Sequence, residues 1–158
     1  MRQFFLLALI TITIVACNSA KKDVKSTTLN DPYLVFGKYF GHCLDECATL
    51  YKLEGNQLYA DDMKRFNGWD SLEFKAEPLS DARYEAAKVL LSTFPQKLLN
   101  EAETIGCPDC ADQGGFALEI RKDGKMRHWH IDTNKDQIPD YLRSYVEQLN
   151  TLVEQLKQ

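Results

Sequence analysis

Apolar and polar residues alternate along this chain with more than one period, and each period predicts an element. Tyr33 to Phe40, rich in β-branched and aromatic residues, predicts a strand. Cys47 to Glu54 and Gln57 to Asp61 flank Gly55-Asn56, a two-residue turn signal that predicts a hairpin. With that turn, Leu53 opposes Leu58 and Tyr51 opposes Ala60 on the core side. Ser71 to Lys75 reads as a further short strand with Leu72 and Phe74 facing inward. A helix follows, capped by Ser80, with Asp81 in its first turn and an apolar stripe of Ala82, Ala86, Val89, Leu90 and Phe94. Pro95 ends or kinks it, and Leu98, Leu99, Ala102 and Ile105 predict a second short helix.

The clearest hairpin runs from Phe116 to Asp132 around Asp123-Gly124, residues that tolerate the positive φ angles of a tight turn. Its register sets Phe116 against Ile131, Leu118 against Trp129 and Ile120 against Arg127, leaving an apolar face to be covered. From Pro139, at the expected first helical position, apolar residues recur at Leu142, Tyr145, Val146, Leu149, Leu152, Val153 and Leu156. That spacing makes the last helix the natural cover. The order β-β-β-α-β-β-α has too few crossovers for a parallel sheet. It predicts an α+β fold, an antiparallel sheet of about five strands with helices on one face.

The N-terminus carries a different signal. Arg2 precedes an apolar run from Phe4 to Ala16, broken only at Thr11 and Thr13; these 13 residues fall short of the roughly 20 that span a membrane. The run reads as the apolar region of a secretory signal, and it ends at Ile14-Val15-Ala16-Cys17. This ending resembles the lipobox of bacterial lipoproteins. The resemblance implies cleavage before Cys17, a thioether-linked lipid on its sulfur and acylation of the new amine. The expected organisation is a signal segment over 1–16, lipidated Cys17 with a flexible polar tether over 17–31, and one domain over 32–158. Fourteen residues from Asn18 to Asp31 reach at most about 46 Å, at ~3.3 Å each.

The 158 residues suffice for one domain, and 19 Lys plus Arg against 23 Asp plus Glu give a net charge of −4. A basic surface for nucleic acid is not expected. With Cys17 set aside, Cys43, Cys47, Cys107 and Cys110 remain, an even number that suits disulfides in an oxidising compartment. Cys107 and Cys110 can close across a turn. Cys43 and Cys47 must sit on a curled segment to pair, or each must reach the 107–110 loop, since an extended chain would hold them about 13 Å apart. Two further readings are a redox pair, which lacks the helix that normally follows one, and a four-thiolate zinc site.

The hairpin register also places His128, His130 and Asp132 on the face away from Trp129, with Glu119 opposite His128. Two imidazoles two residues apart plus carboxylates suit a divalent metal such as zinc, against the plainer alternative of a solvated outer face. Asp132 to Asp140 resembles the start of a calcium loop, but Gln137 and Arg143 stand where such loops need Gly and an acid. Asp109, Asp112, Gln113 and Gly114 beside the Cys107–Cys110 segment form a candidate binding loop, and His42 reads as a loop residue. The element order, with Tyr39-Phe40-Gly41-His42-Cys43 and the Gly106–Gly115 segment, resembles small bacterial envelope lipoproteins of unknown function. No nucleophile elbow, phosphate loop or paired-carboxylate pattern is present. The expectation is a non-catalytic protein without a cofactor, held at the membrane by its lipid and serving an envelope partner as a binding, assembly or inhibitor module. A zinc-binding protein is the alternative.

Overall fold

The computed structural model describes residues 31–158; the expected signal segment, Cys17 and the tether up to residue 30 lie outside the described residues. Six strands form one sheet in the order β3-β2-β1-β5-β6-β4. They are β1 (Tyr33–Tyr39), β2 (Ala48–Glu54), β3 (Gln57–Ala60), β4 (Thr104–Ile105), β5 (Gly115–Lys122) and β6 (Lys125–Asp132). Three helices accompany them: α1 (Asp81–Ala87), α2 (Val89–Ser92) and α3 (Asp140–Leu156). Both hairpins have the expected register, Leu53 on Leu58, Tyr51 on Ala60, Leu118 on Trp129 and Ile120 on Arg127. Asp123 and Gly124 both take positive φ, as their turn requires. Strand β1 lies between the hairpins, antiparallel to both β2 and β5.

The sheet has six strands where about five were expected, and other expectations need correction as well. The sheet is mixed and not wholly antiparallel, because β4 runs parallel to β6, pairing Ile105 with Ile131. Ile105 therefore belongs to a strand; only a 3-10 turn at Gln96–Asn100 occupies the start of the expected second helix. Ser71–Lys75 is not a strand but a 3-10 turn, Trp69–Ser71, followed by a single bridge between Asp61 and Phe74. The helix after Ser80 divides at Lys88, where a tightened bond runs from Leu91 N–H to the Lys88 carbonyl at 3.1 Å. Pro139 stands just before α3, and the Leu142 amide donates to its carbonyl at 2.9 Å.

The inner face of the sheet carries Leu34, Phe36, Leu53, Leu118, Trp129 and Ile131, and all seven stripe residues of α3 are buried in the same core. The outer face is covered as well. Val35, Leu50 and Ala117 point away from α3 and are fully or almost fully buried. Their cover is the strand-free segment between β3 and α1, residues 61–80. Lys75 donates its backbone N–H to the Ala60 carbonyl at 2.9 Å and Leu79 to the Leu58 carbonyl at 2.7 Å, which also closes the outer edge of β3. Among the described residues no helix is long and apolar enough to cross a membrane.

Candidate functional site

Alternation along β5 and β6 delivers Glu119, His128, His130 and Asp132 to the outer face, as their register requires. There they are separated by neighbours from other elements. Trp69 and Phe66, from the covering segment, settle over the histidines. The Trp69 ring stacks on His128 at 4.9 Å between centroids and 20° between planes. Its indole Nε1–H donates to His130 Nε2 at 3.2 Å. Indole only donates, so Nε2 of His130 is the unprotonated nitrogen and the proton sits on Nδ1, 3.1 Å from the Tyr39 hydroxyl. Burial pushes His130 below the usual histidine pKa, and the neighbouring His128 pushes it the same way, against a smaller opposing pull from Glu103.

Glu119 lies beneath this layer, 3% exposed, and accepts the Tyr33 hydroxyl at 2.6 Å. Burial first, and then this acceptor, raise the Tyr33 pKa to about 12, so the phenol stays protonated and the pair is a lasting one. His128 lies between two carboxylates, with Nδ1 3.9 Å from Glu119 and Nε2 3.5 Å from Glu103. Asp132, 1% exposed, spends its oxygens on the Cys107 amide at 2.7 Å and the Asn134 amide at 2.8 Å. The four expected ligands therefore do not converge. Among the described residues no three His, Cys, Asp or Glu side chains gather where an ion could be held. In the calcium-like segment, Asn134 accepts the Asp136 amide at 3.0 Å and Arg143 pairs with Asp140 at 3.0 Å, which makes it a turn leading into α3.

All four remaining cysteines are at one end of the sheet. Cys43 pairs with Cys47 and Cys107 with Cys110, with Cα separations of 5.7 and 5.5 Å. Such short rings remove little unfolded-state entropy, about 2 kcal/mol each against ~4.7 for a 100-residue loop. Their larger effect is local stiffening. The two loops touch where His42 meets Asp112 at 3.0 Å, and Arg65 donates to the Cys43 carbonyl at 2.6 Å. The candidate binding loop braces itself: Asp109 accepts the Gly114 amide at 2.9 Å, and Gln113 donates to the Cys107 carbonyl at 2.9 Å. Gly114 has φ +74 and lies against the Tyr39 carbonyl and the Phe40 ring, where no Cβ would fit.

The opposite end of the sheet holds a cleft of about 1020 Å³, at the upper end of the range for small-molecule sites. Its walls come from the β2–β3 turn, the end of β5 and the α2 to 3-10 segment. Leu53, Phe94, Leu99 and Ile120 supply apolar surface, and Glu54, Glu77, Arg121 and Lys122 supply charge. Asp31 and Pro32 line it too, so the chain enters the domain at its mouth. None of these lining residues was an expected site residue. The cleft gathers five stretches of sequence, and no local spacing announces such a meeting. Trp69 and Phe66 were also missed, although two large aromatics in the otherwise polar stretch Lys64 to Ser71 were a readable signal. No family model matches the sequence, and no curated protein is similar enough to align with it.

Proposed function

We propose that this protein is a lipid-anchored binding module of the bacterial cell envelope, non-catalytic, with its ligand held in the cleft where the expected tether enters. The carrying observation is that cleft, whose apolar wall residues open beside Asp31 and Pro32. The lipobox-like ending at Cys17 supports the anchor, and two disulfides suit an oxidising compartment. The polar groups of the outer face support a non-catalytic role. His130 uses both ring nitrogens and Asp132 both oxygens on partners within the chain. No observation favours the zinc alternative over this reading.

The anchor is tested by metabolic labelling with a fatty acid. Wild-type protein should take up label and fractionate with membranes, whereas Cys17→Ala should take up none and leave the membrane fraction. Label that persists in Cys17→Ala overturns the lipoprotein reading.

A further inference from the structure

We propose that Met126 is a reversible oxidation site whose sulfoxide is received by Arg121, so that the domain takes an oxygen atom from a peroxide without loosening. Neither the anchor nor the cleft is needed for this chemistry. Among the described residues the methionines are Met63 and Met126. Met63 is partly buried in the covering segment, whereas Met126 is 52% exposed on β6. Met126 also lines a hollow of about 340 Å³ on the outer face, which admits an oxidant of a few atoms. Exposure of the sulfur is the first requirement for its oxidation.

Strand register supplies the receiving group. Tyr33 stands opposite Arg121 across β1 and β5, and Arg121 opposite Met126 across β5 and β6, so the three side chains form one row on the outer face. They meet at the Tyr33 hydroxyl, with Met126 Sδ 3.2 Å and Arg121 Nη2 3.4 Å from its oxygen. The single phenol proton goes to Glu119 at 2.6 Å, which leaves the sulfur lone pairs open to an electrophilic oxygen. The Arg121 guanidinium lies over the same ring, 4.4 Å from its centroid, and carries several N–H donors, of which the Tyr33 oxygen takes one. A thioether is a weak acceptor and gains little from such a donor, whereas a sulfoxide oxygen is polar and accepts strongly. The cation beside Met126 therefore favours the oxidised side chain over the reduced one.

The step balances with peroxide as the oxidant. A sulfur lone pair attacks the terminal oxygen of the hydroperoxide, an S–O bond forms and the O–O bond breaks. The proton of the transferred oxygen passes to the leaving oxygen, which departs as water or an alcohol; sulfur is oxidised and the peroxide reduced. A thiol-dependent sulfoxide reductase reverses the change, a pair of thiols becoming a disulfide while the oxygen leaves as water.

The mature protein is treated with hydrogen peroxide and followed by peptide mass spectrometry. The mass of one oxygen atom should appear at Met126 about fivefold faster than at Met63 or more, and methionine sulfoxide reductases with dithiothreitol should remove it. The oxidised wild type should melt within about one degree of the reduced protein. In Arg121→Leu, which removes the donor, oxidation should lower the melting temperature by about two degrees or more. Met126→Leu keeps the apolar bulk without the sulfur, and its melting temperature should not respond to peroxide. In the wild type the side-chain N–H signal of Arg121 should shift in the nuclear magnetic resonance spectrum on oxidation, a readout that stands even where Arg121→Leu does not fold. Oxidation no faster than at Met63, a sulfoxide that the reductases leave in place, an unmoved Arg121 signal, or an equal loss of melting temperature in wild type and Arg121→Leu would each overturn the proposal.

Discussion

At the scale of single residues, the Trp69 hydrogen bond makes His130 a structural base. The bond exists only while Nε2 is bare, so a second proton on the ring must break it. The folded pKa of His130 lies below its ordinary value, chiefly through burial, so the unfolded chain binds the proton more readily. Its contribution to stability is therefore present above about pH 6.5, and it is lost as pH falls below that value toward the folded pKa. His128 adds to the shift, and Glu103 opposes it. We expect the melting temperature of the wild type to drop further between pH 7 and pH 5 than that of His130→Gln, which keeps an acceptor and does not titrate. Parallel melting curves for the two proteins across that range would remove His130 from the role. The His-x-His alternation was legible as two outward residues on one strand. Their partner was not, because Trp69 is 61 residues from His130 in a segment without periodicity.

Secondary elements were legible wherever a local rule fixed them. Two-residue turns at Gly55-Asn56 and Asp123-Gly124 leave one register each, and both registers are present. Strand β4 was invisible because two residues cannot display a period, and Leu98 and Leu99 before it mimicked helical spacing. Helix α3 is the opposite case, with a stripe long enough to leave one solution. Leu149 lies on that stripe, fully buried among the core residues. Truncating a buried Leu to Ala costs about 2–5 kcal/mol, a large part of a domain's ~5–15 kcal/mol. Leu149→Ala should thus lower the melting temperature by at least several degrees, at roughly 2–4 °C per kcal/mol for this size. A shift below about one degree, in the range of neutral surface changes, would mean that α3 does not close the core in solution.

In the whole molecule, the central strands are buried on both faces, where helices on one face alone were expected. Strand β1 begins Tyr-Leu-Val-Phe and β5 begins Gly-Phe-Ala-Leu, apolar runs without the polar alternation of a half-solvated sheet. The cover over the outer face, residues 61–80, was not legible because its contacts are tertiary and aromatic. The same architecture gives the domain two ends. Strand β1 leaves the cleft end at Tyr33 and reaches the disulfide end at Tyr39, a run of seven residues or about 23 Å. An expected flexible tether of this length has a typical span of about 20 Å, comparable with the domain itself. On the proposed lipid anchor at Cys17, the cleft end should lie near the bilayer and the Cys43–Cys47 ring should be displayed away from it. Leu44, 99% exposed, marks the far end and Lys122 the near end. Lys122→Cys and Leu44→Cys should be labelled separately with one fluorophore in the lipidated protein on vesicles containing a headgroup quencher. Quenching at position 122 should exceed that at position 44 by about twofold or more, because the tether's span is no longer than the domain. Equal quenching would show that the domain tumbles without preference, or that the far end itself meets the membrane, and either result would reject this arrangement.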